Sequence, residues 1–114
     1  MRFVVLHHTG VEPPHFDLMF ETAPGSKLVT WRSPVWPLIG PTAVERLADH
    51  RRAYLEYEGA VSGGRGEVKR VLAGSFRFSH FTTERWELLT DDGLRFALVQ
   101  SNQGGWVADV GQTA

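Results

Sequence analysis

The stretch RFVVLHHTGVEPPHFDLMFET, residues 2–22, contains two short segments of strand character joined by a turn. Residues 2–8 are rich in β-branched and aromatic side chains, which favour strands. Residues 15–22 alternate, with the phenylalanines and Leu18 on one face and mostly polar side chains on the other. The intervening TGVEPP is short enough to return the chain beside the first segment. The stretch therefore predicts two strands at the start of a β-rich fold.

The rest of the chain continues as short segments separated by glycine and proline, of which there are twelve and six. The further predicted strands are KLVTWRS (27–33), EVKRVLA (67–73), GSFRFS (74–79), RWELLT (85–90), LRFALVQ (94–100) and WVADV (106–110). Asp92-Gly93 predicts a hairpin whose two central residues both adopt positive φ. Short strands at close, regular spacing are typical of a barrel or a sandwich.

The segment TAVERLADHRRAYLEYE, residues 42–58, fits this pattern less well. Thr42 could cap a helix and Glu45 could close a capping box. The chain that follows, EYEGAVSGGRGE, has the composition of a loop. We expect a short helix or turn over residues 42–49, and extended chain from there through Tyr57.

Composition excludes several classes of protein. The 114 residues are 42% hydrophobic and 22% charged, as in a soluble globular domain. There is no cysteine, which excludes disulfides, thiolate metal sites and a cysteine nucleophile. No run approaches the roughly eighteen apolar residues of a membrane helix, and the N-terminus has too short an apolar run for a signal peptide. We expect a cytoplasmic protein without a membrane partner.

The net charge of −1 lacks the basic excess of proteins that grip long nucleic acid. Basic residues nevertheless cluster in one part of the sequence. They are Arg46, Arg51, Arg52, Arg65, Lys69 and Arg70. A local basic patch can hold a phosphate or a strand end. The alternative is a solvated, charged surface.

His15-x-Asp17 is the most informative pair of polar residues. On a strand these side chains share one face, about 6.5–7 Å apart at the backbone. His8 ends the preceding segment and comes close to both if the two segments pair. Two imidazoles and a carboxylate suit Mn, Fe(II), Co or Zn and leave positions open for substrate or water. The alternative is a polar strand face that meets water.

Two further clusters could contact an anion. His50 could contact a phosphate or act as an acid, and Tyr54 follows it by four residues. The glycines of SGGRGE, residues 62–67, free the backbone to approach an anion, and Arg65 could fork onto it. The alternatives are a surface histidine and a flexible hairpin loop.

The order of these motifs resembles the 3′-phosphoesterase domain of bacterial ATP-dependent DNA ligase D. The motifs are FVVLHH, HFDLMFE, LVTWRSP, RLADHRRAYLEYEG, and a Gly-rich loop followed by EVKRV and closing strands. The resemblance covers about residues 2 to 110. It implies a mainly β, compact single domain over residues 1–114, a barrel of about eight strands with at most a short helix.

The resemblance also implies a site and an activity. His8, His15 and Asp17 would hold Mn²⁺, with Co²⁺ or Zn²⁺ as alternatives, and His50 and Tyr54 would line the phosphate site. The activity would be removal of a 3′-phosphate or a 3′-ribonucleotide in DNA end repair, by a stand-alone version of the domain. Partners would be nucleic acid 3′ ends, DNA or RNA–DNA, and a ligase or polymerase repair protein.

Three positions depart from the pattern of this family. The family arginine two residues after the metal-binding aspartate is Met19 here, and a thioether cannot replace a guanidinium in binding an anion. The loop before His15 is one residue longer and carries Pro13-Pro14, and a family lysine corresponds to Val35. The arginines that could compensate are Arg46, as a catalytic residue, and Arg32, Arg51 and Arg65, as phosphate contacts.

Two other functions fit the same residues. Without the family arginine, the chain could be a catalytically silent module that binds nucleic-acid ends or small anions. Alternatively, His15-x-Asp17 with His80 and Arg95 loosely matches the order of ligands in Fe(II) oxygenases, although His8 would then have no role.

Overall fold

The computed structural model describes residues 1–113, which form nine strands and one short 3-10 helix. The strands are β1 (Arg2–Thr9), β2 (His15–Glu21), β3 (Leu28–Ser33), β4 (Thr42–His50), β5 (Gly59–Ala60), β6 (Glu67–Phe81), β7 (Arg85–Thr90), β8 (Leu94–Gln100) and β9 (Trp106–Gln112). The 3-10 helix is Arg52–Leu55. The described residues form no helix long and apolar enough to cross a membrane.

The strands form one antiparallel sheet that closes into a ring. Its order is β1-β2-β3-β4-β9-β8-β7-β6, and β6 pairs back onto β1. The two-residue β5 pairs with the start of β6 and lies outside the ring. The predicted mainly β barrel of about eight strands, with at most a short helix, is confirmed.

Strand β6 is longer than predicted. Its first part pairs with β1 and its last part with β7, so residues 67–73 and 74–79 form one strand rather than two. At Gly74 a Cβ atom would meet the Phe3 ring at 3.2 Å. The missing side chain at Gly74 therefore leaves room for Phe3 where β6 passes over it, and the glycine does not end the strand.

The helix or turn expected over residues 42–49 is wrong, because those residues belong to β4. Extended chain through Tyr57 is also wrong, because the 3-10 helix intervenes. One end of β4 pairs with β9 and the rest pairs with β3, so β4 joins the two halves of the ring. The hydrogen bonds that close the barrel outweigh the local capping signal at Thr42.

The Asp92-Gly93 hairpin is confirmed, but its turn differs from the prediction. Gly93 has φ of +93°, whereas no residue other than glycine in the described chain has positive φ. Gly93 N–H donates to the carbonyl of Thr90 at 3.1 Å. The turn needs one left-handed residue, which the glycine supplies.

Two apolar clusters lie on opposite faces of the sheet. The inner cluster fills the barrel and includes Trp31, Trp86 and Trp106. The outer cluster packs beneath residues 51–66, which we call the cover segment. The members of the outer cluster are Val4, Leu6, Met19, Leu28, Leu55, Val61 and Val68. Strand β2 is consequently buried on both faces, and the polar face of His15 and Asp17, which in the alternative interpretation meets water, lies under or beside the cover segment.

Candidate metal centre

The pairing of β1 with β2 brings the three predicted metal ligands together. His8 is the direct cross-strand partner of His15, and Leu6 is the partner of Asp17. One ligand atom from each of His8, His15 and Asp17 lies within 4.8 Å of the other two. The group lies on the outer face of the barrel, on the same side as the outer cluster.

Backbone carbonyls orient both imidazoles. His15 Nδ1–H donates to the carbonyl of Pro13 at 3.1 Å, and His8 Nε2–H donates to the carbonyl of Arg65 at 2.7 Å. A carbonyl only accepts, so these ring nitrogens carry the hydrogens. The other two nitrogens, His15 Nε2 and His8 Nδ1, face Asp17 oxygens at 3.4 and 3.6 Å. Such outer hydrogen bonds commonly fix the tautomer of a metal-binding histidine.

This geometry fits a bound cation. In neutral histidines His15 Nε2 and His8 Nδ1 each carry a lone pair. These two nitrogens and the Asp17 carboxylate are therefore three acceptors that face one another. Asp17 is only 3% exposed, and its Oδ1 has no hydrogen-bond partner. A buried carboxylate oxygen without a hydrogen-bond partner is costly, and a divalent ion between the three side chains would remove that cost. The set of two nitrogens and one oxygen is common to Mn²⁺, Fe²⁺, Co²⁺ and Zn²⁺ sites.

A cleft of about 100 Å³ opens beside this group. We call it the central cleft. Its lining residues are His8, Asp17, Met19, His50, Tyr54, Val61, Arg65 and Val68. His50 and Tyr54 therefore line the same cleft as the candidate metal ligands His8 and Asp17. His50 Nδ1–H donates to the carbonyl of Ala48 at 2.9 Å, which leaves Nε2 available, and the His50 and Tyr54 rings lie 5.9 Å apart.

Met19 lines the same cleft, on the face that carries His15 and Asp17. Its side chain is 1% exposed and belongs to the outer cluster. The thioether thus fills the position of the family arginine with apolar bulk and offers no hydrogen-bond donor.

Two of the predicted phosphate-binding arginines flank the metal ligands. Arg32 is the cross-strand partner of Asp17, and it lines, together with Arg65, a wider opening of about 310 Å³. Arg32 Nε is buried without a hydrogen-bond partner, while its Nη1 lies 3.9 Å from Glu45. Arg51 lines the neighbouring groove, which shares Tyr54 with the central cleft.

Arg46 is the one predicted site residue that the structure does not bring to the site. It pairs across the sheet with Trp31, which faces the barrel interior. Its guanidinium lies over the Trp31 ring, 5.1 Å from the centroid, and 4.0 Å from Asp49. Side chains alternate along β4, so Arg46 lies on the face opposite to Glu45. Arg32 of β3 is the cross-strand partner of Glu45 and shares its face.

The ligand order of an Fe(II) oxygenase is not assembled. His80 lies near the far end of β6, beside Glu87 of β7, and the group that could hold a metal among the described residues contains His8 instead. Arg95 forms an ion pair with Glu87 at 3.8 Å, on the same part of the barrel.

Sequence reasoning missed Glu21, which fixes one end of the cover segment. Its buried carboxylate accepts hydrogen bonds from the Arg52 side chain and from the Arg2 N–H. Burial raises the pKa of Glu21, but these hydrogen bonds and the positive charge of Arg52 outweigh burial and lower the pKa overall. No local pattern marks Glu21 in the sequence, because it continues the face of His15, Asp17 and Met19, which has the pattern of a surface exposed to water.

Comparison of the chain with protein-family models and with curated proteins found no match. Membership of the ligase D phosphoesterase family stays a prediction that rests on the order of the motifs.

Proposed function

We propose that this protein is a metal-dependent phosphoesterase that removes a 3′-phosphate or a 3′-ribonucleotide from nucleic acid ends. The observation that carries the proposal is the oriented set of His8, His15 and Asp17 beside a cleft lined by His50, Tyr54 and Arg65. Mn²⁺ is the proposed ion, with Co²⁺ or Zn²⁺ as alternatives. A ligase or polymerase of end repair is the proposed protein partner.

Each residue has a separate role in this proposal. A bound divalent ion would supply a Lewis acid for a phosphate oxygen and a more acidic bound water. Arg32 and Arg65 neutralise charge on the phosphoryl oxygens as it redistributes. His50, held through its Nδ1–H by the Ala48 carbonyl, donates the Nε2–H proton of its imidazolium form to the leaving sugar oxygen and becomes the neutral imidazole. His8, His15 and Asp17 serve as ligands and do not act as the general base.

The direct test is release of inorganic phosphate from an oligonucleotide with a 3′-phosphate in the presence of Mn²⁺. We expect release by the wild type, none by Asp17→Asn, and little from a matched oligonucleotide with a 5′-phosphate. Asp17→Asn keeps the shape of the side chain but removes the charge that holds the ion. A wild type with bound Mn²⁺ that releases no phosphate from the 3′ end would contradict the proposal.

The second candidate function is a silent module that binds nucleic-acid 3′ ends. Met19 favours it, because this side chain brings no positive charge to the cleft. The same assay separates the two functions when binding is also measured. A silent module binds the 3′-phosphorylated oligonucleotide and leaves it intact, whereas a phosphoesterase converts it to the 3′-hydroxyl form.

A further inference from the structure

A second groove continues from the central cleft on the side of the cover segment. It has a volume of about 200 Å³ and shares Tyr54 and Val61 with the central cleft. We call it the tyrosine groove. Its lining residues are Arg51, Ala53, Tyr54, Tyr57, Ala60, Val61 and Ser62.

Tyr57 presents an anchored aromatic ring in this groove. The side chain is 41% exposed, yet its hydroxyl donates to the carbonyl of Ala60. Gly59 lies close to the hydroxyl end, where a Cβ atom would be 3.4 Å from the oxygen, and Tyr54 contacts the ring edge-to-face with centroids 6.1 Å apart. An aromatic ring that is already fixed loses little conformational entropy when a flat ligand stacks on it.

The charges around the tyrosine groove favour a polyanion. Within residues 1–113, Arg51 and Arg65 form no ion pair with an acidic side chain. The nearby acids are already paired, Glu56 with Arg2 at 3.3 Å and Glu58 with Arg70 at 3.9 Å. The groove therefore combines an exposed aromatic ring with Arg51, a lining arginine that forms no ion pair with an acidic side chain of residues 1–113.

The opposite side of the metal centre lacks this combination. The groove there, of about 490 Å³, is lined by Pro13, Pro14 and Pro34, contains no aromatic ring apart from His15, and includes Glu45. Its arginine, Arg32, already lies 3.9 Å from Glu45. An aromatic ring that could stack on a nucleobase and an arginine that could bind a phosphodiester occur together only in the tyrosine groove of these two grooves.

We propose that the tyrosine groove binds the 3′-terminal nucleoside of a single-stranded end, with the base stacked on Tyr57 and Arg51 on the phosphate 5′ to that nucleoside. The proposal rests on the proposed function, which places the 3′-phosphate in the adjoining central cleft. Stacking on an aromatic ring tolerates any base, because every base has a π face. A base paired in a duplex is held along its edge by its partner strand, so a groove of about 200 Å³ admits the terminal base only when the end is single-stranded or frayed.

The test measures fluorescence anisotropy of the Mn²⁺-loaded protein with two single-stranded oligonucleotides. Both end in a 3′-hydroxyl, so neither carries a phosphate that can be released, and one lacks the base of its 3′-terminal residue. We expect the wild type to bind the complete oligonucleotide about five- to a hundredfold more tightly than the abasic one. Tyr57→Leu should lose this preference, and Tyr57→Phe, which keeps the ring, should retain it.

Phe81→Leu is the matched control, because Phe81 is an exposed aromatic residue at the far end of β6. It should preserve the preference for the complete oligonucleotide. The Mn²⁺ affinity of Tyr57→Leu should equal that of the wild type, which would show that the variant is folded. A wild type that binds both oligonucleotides equally would overturn the inference, as would a Tyr57→Leu variant that keeps the preference.

The two proposals fail in different ways. A protein that prefers the complete oligonucleotide through Tyr57 but releases no phosphate from a 3′ end supports the groove and contradicts the phosphoesterase. A protein that releases phosphate but has no preference for the terminal base contradicts the groove and supports the phosphoesterase.

Discussion

Met19 is the residue that most directly limits the proposed activity. It lines the central cleft beside Asp17 but brings no charge to it. We predict that Met19→Arg raises the rate of phosphate release, because the loss of one preorganised donor commonly costs about a hundred- to thousandfold in rate. Some stability should be lost, since the stem of the arginine replaces a tightly packed side chain in the outer cluster. The measurement is phosphate release from a single-stranded oligonucleotide with a 3′-phosphate, in the presence of Mn²⁺.

Met19→Leu is the control for this change, because leucine keeps the apolar bulk without adding a donor. Its rate should match the wild type. If Met19→Arg binds metal but releases phosphate no faster than Met19→Leu, a positive charge at position 19 does not accelerate phosphate release, and the prediction is wrong. A fast wild type that Met19→Arg does not improve would show that Arg32 or Arg65 already supplies the charge.

The cluster of His8, His15 and Asp17 could be predicted from the sequence, but the groups that orient its imidazoles could not. The two-residue period of a strand places His15 beside Asp17, and a short loop returns β2 to His8. The carbonyl of Arg65, by contrast, meets His8 across 57 positions of sequence. It depends on how the cover segment folds back, for which no local pattern exists. Arg46 was misplaced because the register of β4 could not be known before β4 was recognised as a strand.

At the scale of elements, the cover segment is fixed at its two ends. Near its start, the buried carboxylate of Glu21 holds Arg52. Near its end, residues 65 and 66 cross the end of β1, where the carbonyl of Arg65 orients His8. The segment also carries the side chains of Tyr54 and Arg65, which line the central cleft. Its attachment at these two points therefore determines the shape of that cleft.

The lowered pKa of Glu21 predicts how stability depends on pH. Because the folded pKa lies below the 4.5 of a free glutamate, this carboxylate stabilises the fold above about that pH. The contribution is lost as the pH falls through the folded pKa. We predict that Glu21→Gln costs about 1–3 kcal/mol at neutral pH, and that its difference from the wild type shrinks on acidification below pH 4.5. Denaturant unfolding at several pH values measures this, and a difference that stays constant would contradict it.

Gly66 lies where the cover segment crosses the end of β1, and its missing side chain allows the two backbones to approach. It has φ of +74°, and a Cβ atom there would lie 2.1 Å from the carbonyl oxygen of Thr9. We predict that Gly66→Ala displaces the neighbouring Arg65 carbonyl from His8 and weakens Mn²⁺ binding about ten- to a hundredfold, as loss of an outer hydrogen bond commonly does. Calorimetric titration measures the affinity.

Gly64 provides a control for the backbone strain alone. Its φ is +69°, but a Cβ atom there would meet nothing within 4 Å. Gly64→Ala should cost about 1–2 kcal/mol of stability, since left-handed backbone is unfavourable for alanine, and should leave the Mn²⁺ affinity unchanged. Equal affinities for Gly64→Ala and Gly66→Ala would argue against the role given to the Arg65 carbonyl.

In the molecule as a whole, the hydrophobic core and the candidate metal centre lie on opposite faces of the barrel sheet. The inner cluster fills the ring with aromatic side chains, while the outer face of β1, β2 and β3 supports the candidate metal ligands, the central cleft and the cover segment. The strand-rich pattern of the sequence predicted a barrel or a sandwich, and the resemblance to the ligase D domain implied the barrel. The second, outer cluster was not predicted, because a face that alternates between His15, Asp17 and Met19 has the pattern of a surface exposed to water.

The central claim is that His8, His15 and Asp17 form a metal centre on this outer face. Calorimetric titration of Mn²⁺ into metal-free wild type and into His15→Ala tests it most directly. We expect one Mn²⁺ per chain in the wild type and an affinity at least about tenfold weaker in His15→Ala, because one of three proposed protein ligands is lost. Equal affinity in the two proteins, or no binding to the wild type, would contradict it.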